Sequence, residues 1–231
     1  MRLATFNILA LQEVDRDQPR SLQADLTTVA ARAGGAREQR FVATLHGEPG
    51  TWTAATGLEQ PDSAAYGIAL ISRFPVRSWR VTSLPALARA VPVIHQGHRL
   101  PQLAHDEPRA AVAALLDTPE GPLTVVATHL SFIPGWNVLQ LRALVRVCRS
   151  LPRPLVLLGD LNLGPRVVGR ASGWRPAATA LTFPSPAPQR QLDHVLVDGD
   201  VAVLGPAVAL DAGVSDHRAL TVDVALGRTA L

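Results

Sequence analysis

The 231-residue sequence contains no lysine, a single cysteine and no apolar run long enough to cross a bilayer. Cys148 cannot form an internal disulfide, and its place in a helical pattern predicts a small buried hydrophobic side chain. The N-terminus lacks a basic segment followed by an apolar one, so we expect a cytoplasmic protein without a secretory signal. Hydrophobic residues make up 47% of the chain, which argues against disorder and predicts a full core. We expect one domain over residues 1–231, acting as a monomer, since nothing indicates an obligate protein partner.

All 22 basic residues are arginines, yet the formal net charge is only +3. Arginine binds phosphate groups through two parallel hydrogen bonds, so an arginine-rich nucleic-acid-binding domain is one interpretation of this composition. The arginines are scattered along the chain, without a run and without interleaved aromatic residues. Charge alone therefore decides little about function.

Short apolar runs bounded by turn residues predict the strands of a sheet that is covered on both faces. These runs are Leu3–Ile8, Leu11–Val14, Gly67–Ser72, Ala110–Leu116, Leu123–Thr128, Leu155–Leu158, Leu192–Val197 and Ala219–Val224. Because strands outnumber helices, we expect a sheet-rich α/β sandwich rather than a regular βαβ alternation.

Two segments carry helical patterns. The first is predicted to be capped by Ser21 and to run to about Arg32. Its apolar face consists of Leu22, Leu26 and Val29. The second is predicted to be capped by Asn137 and to end before Pro152.

Two long segments, Leu84–Pro108 and Gly164–Gln191, have no clear periodicity. Long irregular segments within a compact domain are usually functional lids or rims. We therefore expect substrate specificity to lie in these two segments.

The strongest local signal is a buried strand followed by a glycine, a carboxylate and an amide, in LVLLGDLN (Leu155–Asn162). If the chain stays extended, period-two alternation points Asp160 and Asn162 the same way at the rim of the sheet. An acceptor that can orient a water, beside a donor that can hold an oxyanion, suits attack on phosphorus. An Asx-type turn after the strand is an equally open alternative.

Three further motifs place ionisable side chains next to apolar strands: THLS with His129, LDHV with Asp193 and His194, and SDHR with Asp216 and His217. A lone histidine at a strand end is often only a hydrogen-bonded structural residue, so His129 has both interpretations. A buried carboxylate such as Asp193 needs a partner, for which a histidine is suited. Successive polar residues at a strand start are costly if buried, which favours function for Asp216 and His217.

Together and in this order, the motifs resemble those of the endonuclease/exonuclease/phosphatase superfamily. The matching stretches are TFNI (Thr5–Ile8), LQEVD (Leu11–Asp15), YGIALISRFPV (Tyr66–Val76), THLS (Thr128–Ser131), GDLN (Gly159–Asn162), LDHVLV (Leu192–Val197) and SDHRAL (Ser215–Leu220). The resemblance implies a DNase I-like four-layered α/β sandwich, two packed mixed sheets flanked by helices. It also implies hydrolysis of a phosphate ester, whether nucleic acid, phospholipid head group or small phosphoester.

The resemblance assigns the metal-binding half of the site to residues from both ends of the chain. Glu13 is the implied main metal ligand, Asp216 lies near the metal, and Asn7 helps to position the phosphate. Carboxylate and amide oxygens are hard donors that suit Mg²⁺, with Mn²⁺ as an alternative.

The resemblance assigns the remaining roles to five side chains. Asp160 and Asn162 orient the attacking water and hold phosphoryl oxygens, and cationic His217 lies beside the scissile phosphate. Asp193 is expected to hydrogen-bond His217 and keep it charged. His129 contacts the phosphate or supports a neighbouring carboxylate.

One spacing departs from the family pattern. Only five residues separate Asn7 from Glu13, whereas the family places these residues on neighbouring parallel strands, and a parallel crossover needs about a dozen residues or more. As one extended strand, the segment would separate the two side chains by roughly 20 Å. The sequence therefore indicates a family member that lacks its first β-α crossover, in which Leu11–Val14 keeps the inner-strand position and Asn7 is displaced. We expect an Mg²⁺-dependent phosphoesterase, with an impaired member that only binds phosphorylated ligands as the alternative.

Overall fold

The computed structural model describes residues 6–56, 63–87, 90–93 and 101–227. The strands within these ranges are β1 (Ile8–Arg16), β2 (Glu38–His46), β3 (Thr53–Ala54), β4 (Ala65–Ser72), β5 (Val76–Ser83), β6 (Val91–Val93), β7 (Gln102–Ala104), β8 (Ala110–Thr118), β9 (Gly121–His129), β10 (Leu155–Asp160), β11 (Arg175–Pro176), β12 (Asp193–Asp198), β13 (Val201–Val203), β14 (Val208–Leu210), β15 (Ala219–Thr221) and β16 (Val224–Leu226). The helices are α1 (Leu26–Ala33), α2 (Trp136–Cys148) and α3 (Pro165–Ser172). None of these helices is long and apolar enough to cross a membrane.

The strands form two main sheets. One sheet has four antiparallel strands in the order β1-β4-β2-β3. The other has six strands in the order β11-β12-β10-β9-β8-β5, in which β9 and β10 are parallel and the other neighbours are antiparallel. The parallel pair brings the carboxyl ends of β9 and β10 to the same edge of the sheet.

The two sheets pack face to face over an apolar core that includes Ile68 from β4 and Val125 from β9. A second core, which includes Leu144 of α2 and Val168 of α3, lies on the outer face of the six-stranded sheet. Burying each such side chain stabilises the fold by about 1.5–3 kcal/mol. Because α1 packs against β1, β2 and β4, the molecule has four layers, which confirms the predicted α/β sandwich.

Strand β8 shows why the apolar runs are continuous. Val112 and Ala114 face the core between the sheets, whereas Ala111 and Ala113 face the core under the helices. Successive residues of a strand point to opposite faces, so a strand covered on both sides must be apolar throughout.

Strand β1 differs from the two separate strands predicted at Leu3–Ile8 and Leu11–Val14. Residues 1–5 lie outside the described part of the chain, and from Ile8 to Arg16 the chain is one uninterrupted strand that pairs with β4. The register shifts between Leu11 and Val14, where the two residues Gln12 and Glu13 lie opposite the single residue Ile68. Glu13 adopts a left-handed conformation (φ 56°) at this β-bulge. The first crossover is therefore absent, as the short spacing predicted.

The strand predicted at Ala219–Val224 is wrong in extent. The chain forms two short strands instead, β15 paired with β14 and β16 paired with β13. Each pair is a separate two-stranded sheet, so neither strand joins a main sheet.

The predicted start of the first helix is also wrong. The helix α1 is capped by Asp25 rather than Ser21, because the Asp25 carboxylate accepts hydrogen bonds from the backbone of Thr27 (3.0 Å) and Thr28 (3.1 Å). Leu22 precedes the helix and is 92% exposed, so it is not part of an apolar face.

The second helix begins two residues earlier than predicted, and Gly135 rather than Asn137 occupies its N-cap. Asn137 is buried in the first turn, where its Nδ2 donates to the backbone oxygen of Asn162 at 3.0 Å. The two segments without periodicity contain short elements, the hairpin β6–β7 in the first and helix α3 in the second.

Candidate active site

The ends of three neighbouring strands place ionisable side chains in one row. In the six-stranded sheet, Asp160 of β10 is in register with His129 of β9 on one side and with Asp193 of β12 on the other. Residues in register across a sheet point to the same face, with their Cβ atoms about 5 Å apart. Pairing of the strands therefore assembles the row from segments that lie far apart in sequence.

Gly159 permits this close arrangement. A Cβ atom built on Gly159 would lie 2.0 Å from the backbone oxygen of Thr128 in the neighbouring strand. Any larger residue would push β10 away from β9 and misalign the carboxylate that follows.

His217 reaches the row from the loop before β15. Its Nδ1 lies 2.8 Å from Asp193 Oδ2, and its Nε2 lies 3.9 Å from Asp160 Oδ2. The Phe183 ring packs against the imidazole with ring centroids 4.8 Å apart. Burial opposes protonation, but the hydrogen bond and charge of Asp193, aided by Asp160 and Asp216, raise the pKa of His217. The hydrogen bond expected between Asp193 and His217 is present.

Asp160 is buried at the centre of the row, with 7% of its surface exposed. Burial and then the charge of Asp193 raise the pKa of Asp160 to about 7, against the opposing hydrogen bond from Asn162 and the charges of His217 and Arg109. A carboxylate with a pKa near 7 is suited to take a proton from water at neutral pH.

The chain does not stay extended through Asn162, contrary to the alternation predicted for GDLN. Strand β10 ends at Asp160, and Asn162 adopts a left-handed conformation (φ 51°). The chain instead forms the Asx-type turn that the sequence left open as an alternative. In this turn the Asn162 backbone N donates a hydrogen bond to Asp160 Oδ1 at 2.8 Å. The turn directs Asn162 toward β9, where its Nδ2 donates to Leu130 O at 3.0 Å and lies 3.4 Å from His129 Nε2.

His129 is buried and lies between Asp160 and an arginine. Its Nε2 is 3.6 Å from Asp160 Oδ2, and its Nδ1 is 3.0 Å from Arg109 Nη1. Burial, followed by the charges of Arg109 and His217, holds the pKa of His129 well below its usual value. Sequence reasoning missed Arg109. The available signal was its position immediately before β8, whose first residues lie beside the end of β9.

Glu13 projects from the β-bulge of β1 and is exposed. Its carboxylate lies close enough to the side chain of Tyr66, the first residue of the YGIALISRFPV stretch, to raise the pKa of that phenol. Burial, then the charges of Glu13 and Glu107, raise the pKa of Tyr66, whereas the charge of Arg109 opposes them. Tyr66 therefore lies within electrostatic reach of both Glu13 and Arg109, and Arg109 is next to His129.

Asn7 does not join this group. It is exposed at the opposite end of β1, where its backbone oxygen accepts a hydrogen bond from Arg73 N at 2.8 Å, whereas Glu13 lies beside Tyr66 at the other end of β4. Asp216 is also exposed, and its backbone oxygen accepts from Ser185 N at 2.6 Å.

The implied metal donors are suitable in type. Glu13 and Asp216 offer hard carboxylate oxygens. Among the described residues, however, no group of three or more His, Cys, Asp or Glu side chains is placed to hold a metal ion. Within the described part of the chain, these side chains therefore do not form a cluster of three such ligands.

The sequence model of the Endonuclease/Exonuclease/phosphatase family matches residues 2–217, and the chain belongs to this family. Members of the family are phosphoesterases that act on nucleic acids or other phosphate esters and generally depend on divalent metal ions. No curated protein sequence matches the chain.

Solved structures share the fold. An endonuclease/exonuclease/phosphatase from Beutenbergia cavernae is 21% identical with a TM-score of 0.65, and the match covers 96% of this chain but 63% of that chain. The human Nocturnin catalytic domain is 20% identical with a TM-score of 0.62, covering 96% of this chain and 81% of that chain. A mannosyl-6-phosphatase from Bacteroides thetaiotaomicron is 13% identical with a TM-score of 0.60, covering 96% and 86%. The chain thus spans less than two thirds of the Beutenbergia structure, and these likenesses show the fold.

Proposed function

We propose that this protein hydrolyses a phosphodiester or phosphomonoester by attack of water, in an Mg²⁺-dependent reaction. The observation that carries the proposal is the row of His129, Asp160 and Asp193, completed by His217. The row offers a carboxylate with a pKa near 7 beside a histidine whose pKa its acidic neighbours raise. Action as a cytoplasmic monomer is part of the proposal and rests on the sequence.

In the proposed reaction, Asp160 accepts a proton from a water as the water oxygen attacks phosphorus. The bond from phosphorus to the ester oxygen breaks as the new bond forms. The Nε2–H of cationic His217 faces Asp160 and donates to the oxygen on which negative charge develops, with the Asn162 amide as a second donor. Asp193 holds the His217 ring in place through Nδ1.

Mg²⁺ is the ion proposed for the site, and Mn²⁺ is expected to substitute for it. When bound, either ion supplies polarisation of a phosphoryl oxygen. Because Glu13 and Asp216 do not converge with a third donor, we expect weak binding of the ion and slow turnover.

A second candidate function is binding of a phosphorylated ligand without turnover. The position of Asn7 at the far end of β1 favours it, since the residue expected to position the phosphate does not reach the row. The substrate class stays a proposal among nucleic acid, phospholipid head group and small phosphoester.

Turnover of bis-p-nitrophenyl phosphate by the full chain tests the proposal. We expect slow release of nitrophenolate that rises with Mg²⁺ concentration, stops with EDTA and falls about 10²- to 10⁴-fold in Asp160→Ala, the range that a positioned acid or base contributes. Asp117→Ala is the matched control, because Asp117 lies outside the row and pairs with Arg77 at the surface. Equal turnover in Asp160→Ala and wild type would refute the site. Saturable phosphate binding without any turnover would support the second candidate.

A further inference from the structure

Arg109 is a buried cation that no step of the proposed reaction uses. Its side chain is 5% exposed, and burying an unpaired charge is costly. Nη2 pairs with Glu107 Oε2 at 3.2 Å, and Nη1 lies 3.0 Å from His129 Nδ1. The remaining nitrogen, Nε, is buried without a hydrogen-bond partner among the described residues. The guanidinium thus anchors on Glu107 and directs one N–H to the imidazole.

The contact between Arg109 and His129 determines where the imidazole carries its proton. A guanidinium can only donate hydrogen bonds, so His129 Nδ1 must accept with its lone pair. An imidazolium would turn an N–H toward the N–H of Arg109, which is repulsive. The ring is therefore neutral, and its single proton is on Nε2.

The Nε2–H of His129 faces the centre of the row. His129 Nε2 lies 3.4 Å from Asn162 Nδ2 and 3.6 Å from Asp160 Oδ2, and the same carboxylate oxygen is 3.9 Å from His217 Nε2. Because an amide nitrogen does not accept hydrogen bonds, Asp160 Oδ2 is the acceptor available to the Nε2 proton. One carboxylate is thus flanked by two imidazoles with opposite partners, His129 beside the cation of Arg109 and His217 beside the anion of Asp193. Two charged imidazoles here would favour a permanently ionised Asp160 and weaken it as a base.

We propose that Arg109 is a positioning residue that fixes His129 as the neutral Nε2–H tautomer and thereby directs a hydrogen-bond donor into the site. The expected effect of Arg109 on the reaction rate rests on the proposed function. Its expected effect on the tautomer of His129 does not, and it can be measured without turnover. The low pKa of His129, caused by burial and then by the charges of Arg109 and His217, agrees with a neutral ring.

The alternative is that Arg109 only stabilises the fold through Glu107. The two roles predict different changes in the measured properties of an Arg109 variant. A structural role changes the unfolding temperature and leaves the tautomer of His129 alone. A positioning role changes the tautomer and lowers kcat with little effect on KM.

The test measures the ring nitrogens of His129 by ¹⁵N–¹H correlation NMR on the full chain, with His129→Gln to assign the signal. The variants are Arg109→Met, which removes the donor, and Arg109→Lys, which keeps a charge and a donor. Arg153→Met is the control, because Arg153 also pairs with a carboxylate, that of Asp198, but lies before the opposite end of β10. Turnover of bis-p-nitrophenyl phosphate and thermal unfolding are measured on each variant.

We expect wild-type His129 to be neutral with its proton on Nε2. Arg109→Met should give a mixture of tautomers and a kcat about 10- to 100-fold lower, as for loss of other orienting partners. Arg109→Lys should retain more of the Nε2–H tautomer and more of the wild-type kcat than Arg109→Met does. Arg153→Met should change neither the tautomer nor kcat.

Two results overturn the inference. One is a wild-type His129 that is protonated on Nδ1. This result is measured on the wild-type protein alone and does not depend on whether a variant folds. The other is an Arg109→Met protein with an unchanged tautomer and an unchanged kcat. If wild type shows the Nε2–H tautomer and Arg109→Met shifts it, but neither protein turns over substrate, the proposed function fails while the assignment of Arg109 as the residue that sets the tautomer is upheld.

Discussion

The two main sheets contribute to the candidate site in different ways. In the six-stranded sheet, three neighbouring strands end together and place His129, Asp160 and Asp193 in register. In the four-stranded sheet, a single strand carries both residues that the family places on two strands, so that Asn7 and Glu13 lie at opposite ends of β1. One half of the site is assembled and the other is divided.

The difference shows what strand pairing can and cannot preserve. A catalytic row survives as long as its strands keep their register, because residues in register stay about 5 Å apart. Two residues on one strand are instead separated by about 3.3 Å for each step along the chain. Without a crossover, no side-chain adjustment can bring Asn7 to Glu13.

After Asp160→Ala, the largest effect on turnover is expected from weakening the assembled half at Asp193. Asp193→Asn keeps the shape but removes the charge that raises the pKa of His217. Cationic His217 is the active form, so activity is lost as pH rises through its pKa. Lowering that pKa moves the alkaline limb of the kcat/KM profile to lower pH and reduces activity at neutral pH by about 10- to 100-fold.

A pH series of bis-p-nitrophenyl phosphate turnover measures this shift. Asp198→Asn is the control, because Asp198 lies at the other end of β12 and pairs with Arg153. An alkaline limb at the same pH in wild type and Asp193→Asn would show that Asp193 does not hold His217 charged.

A smaller effect is expected on stability, from Asp160→Asn. The folded state raises the pKa of Asp160 from 3.8 to about 7, so it binds the proton more tightly than the unfolded chain does. Wild type therefore loses stability as pH rises from about 4 to 7, by linkage. Asparagine does not titrate, so Asp160→Asn should become relatively more stable across that window, by roughly 1–3 kcal/mol above pH 7.

Thermal unfolding between pH 4 and 8 measures this difference, at about 2–4 °C for each kcal/mol in a chain of this size. Asp117→Asn is the control, since Asp117 pairs with Arg77 at the surface, where the pKa of its carboxyl is lowered. A constant difference between Asp160→Asn and wild type from pH 4 to 8 would contradict the raised pKa.

Much of the fold could be predicted from the sequence because its strands are buried on both faces. The runs that became β4, β8, β9, β10 and β12 are continuous and apolar, and each was located within two residues at its start. The last strand and the helix starts were less predictable. Ser21 and Asp25 are both acceptable caps, and only the tertiary packing of α1 decides between them.

The candidate site was predictable where a motif contained the chemistry. The Asp193–His217 contact was expected from the resemblance of two motifs to the family, and a buried carboxylate requires a partner in any case. Arg109 and Tyr66 were not predicted, because their roles come from neighbours in other strands, His129 in β9 and Glu13 in β1. Such contacts have no signature in the local sequence.

The smallest effects on turnover are expected from substitutions in the divided half of the site. Asn7 and Glu13 allow the two parts of the β1 segment to be compared directly. Asn7→Ala should change turnover by about twofold or less, as for an ordinary surface substitution, because Asn7 lies beside Arg73 and away from the row. Glu13→Gln should lower turnover by about 3- to 10-fold and raise the Mg²⁺ concentration needed for half-maximal rate. The reason is that Glu13 lies close to Tyr66, a side chain that is also within electrostatic reach of Arg109. Each variant is the control for the other, since both lie on the same strand. Equal losses in the two variants would mean that both ends of β1 reach the substrate, and the comparison between the sheets would then be wrong.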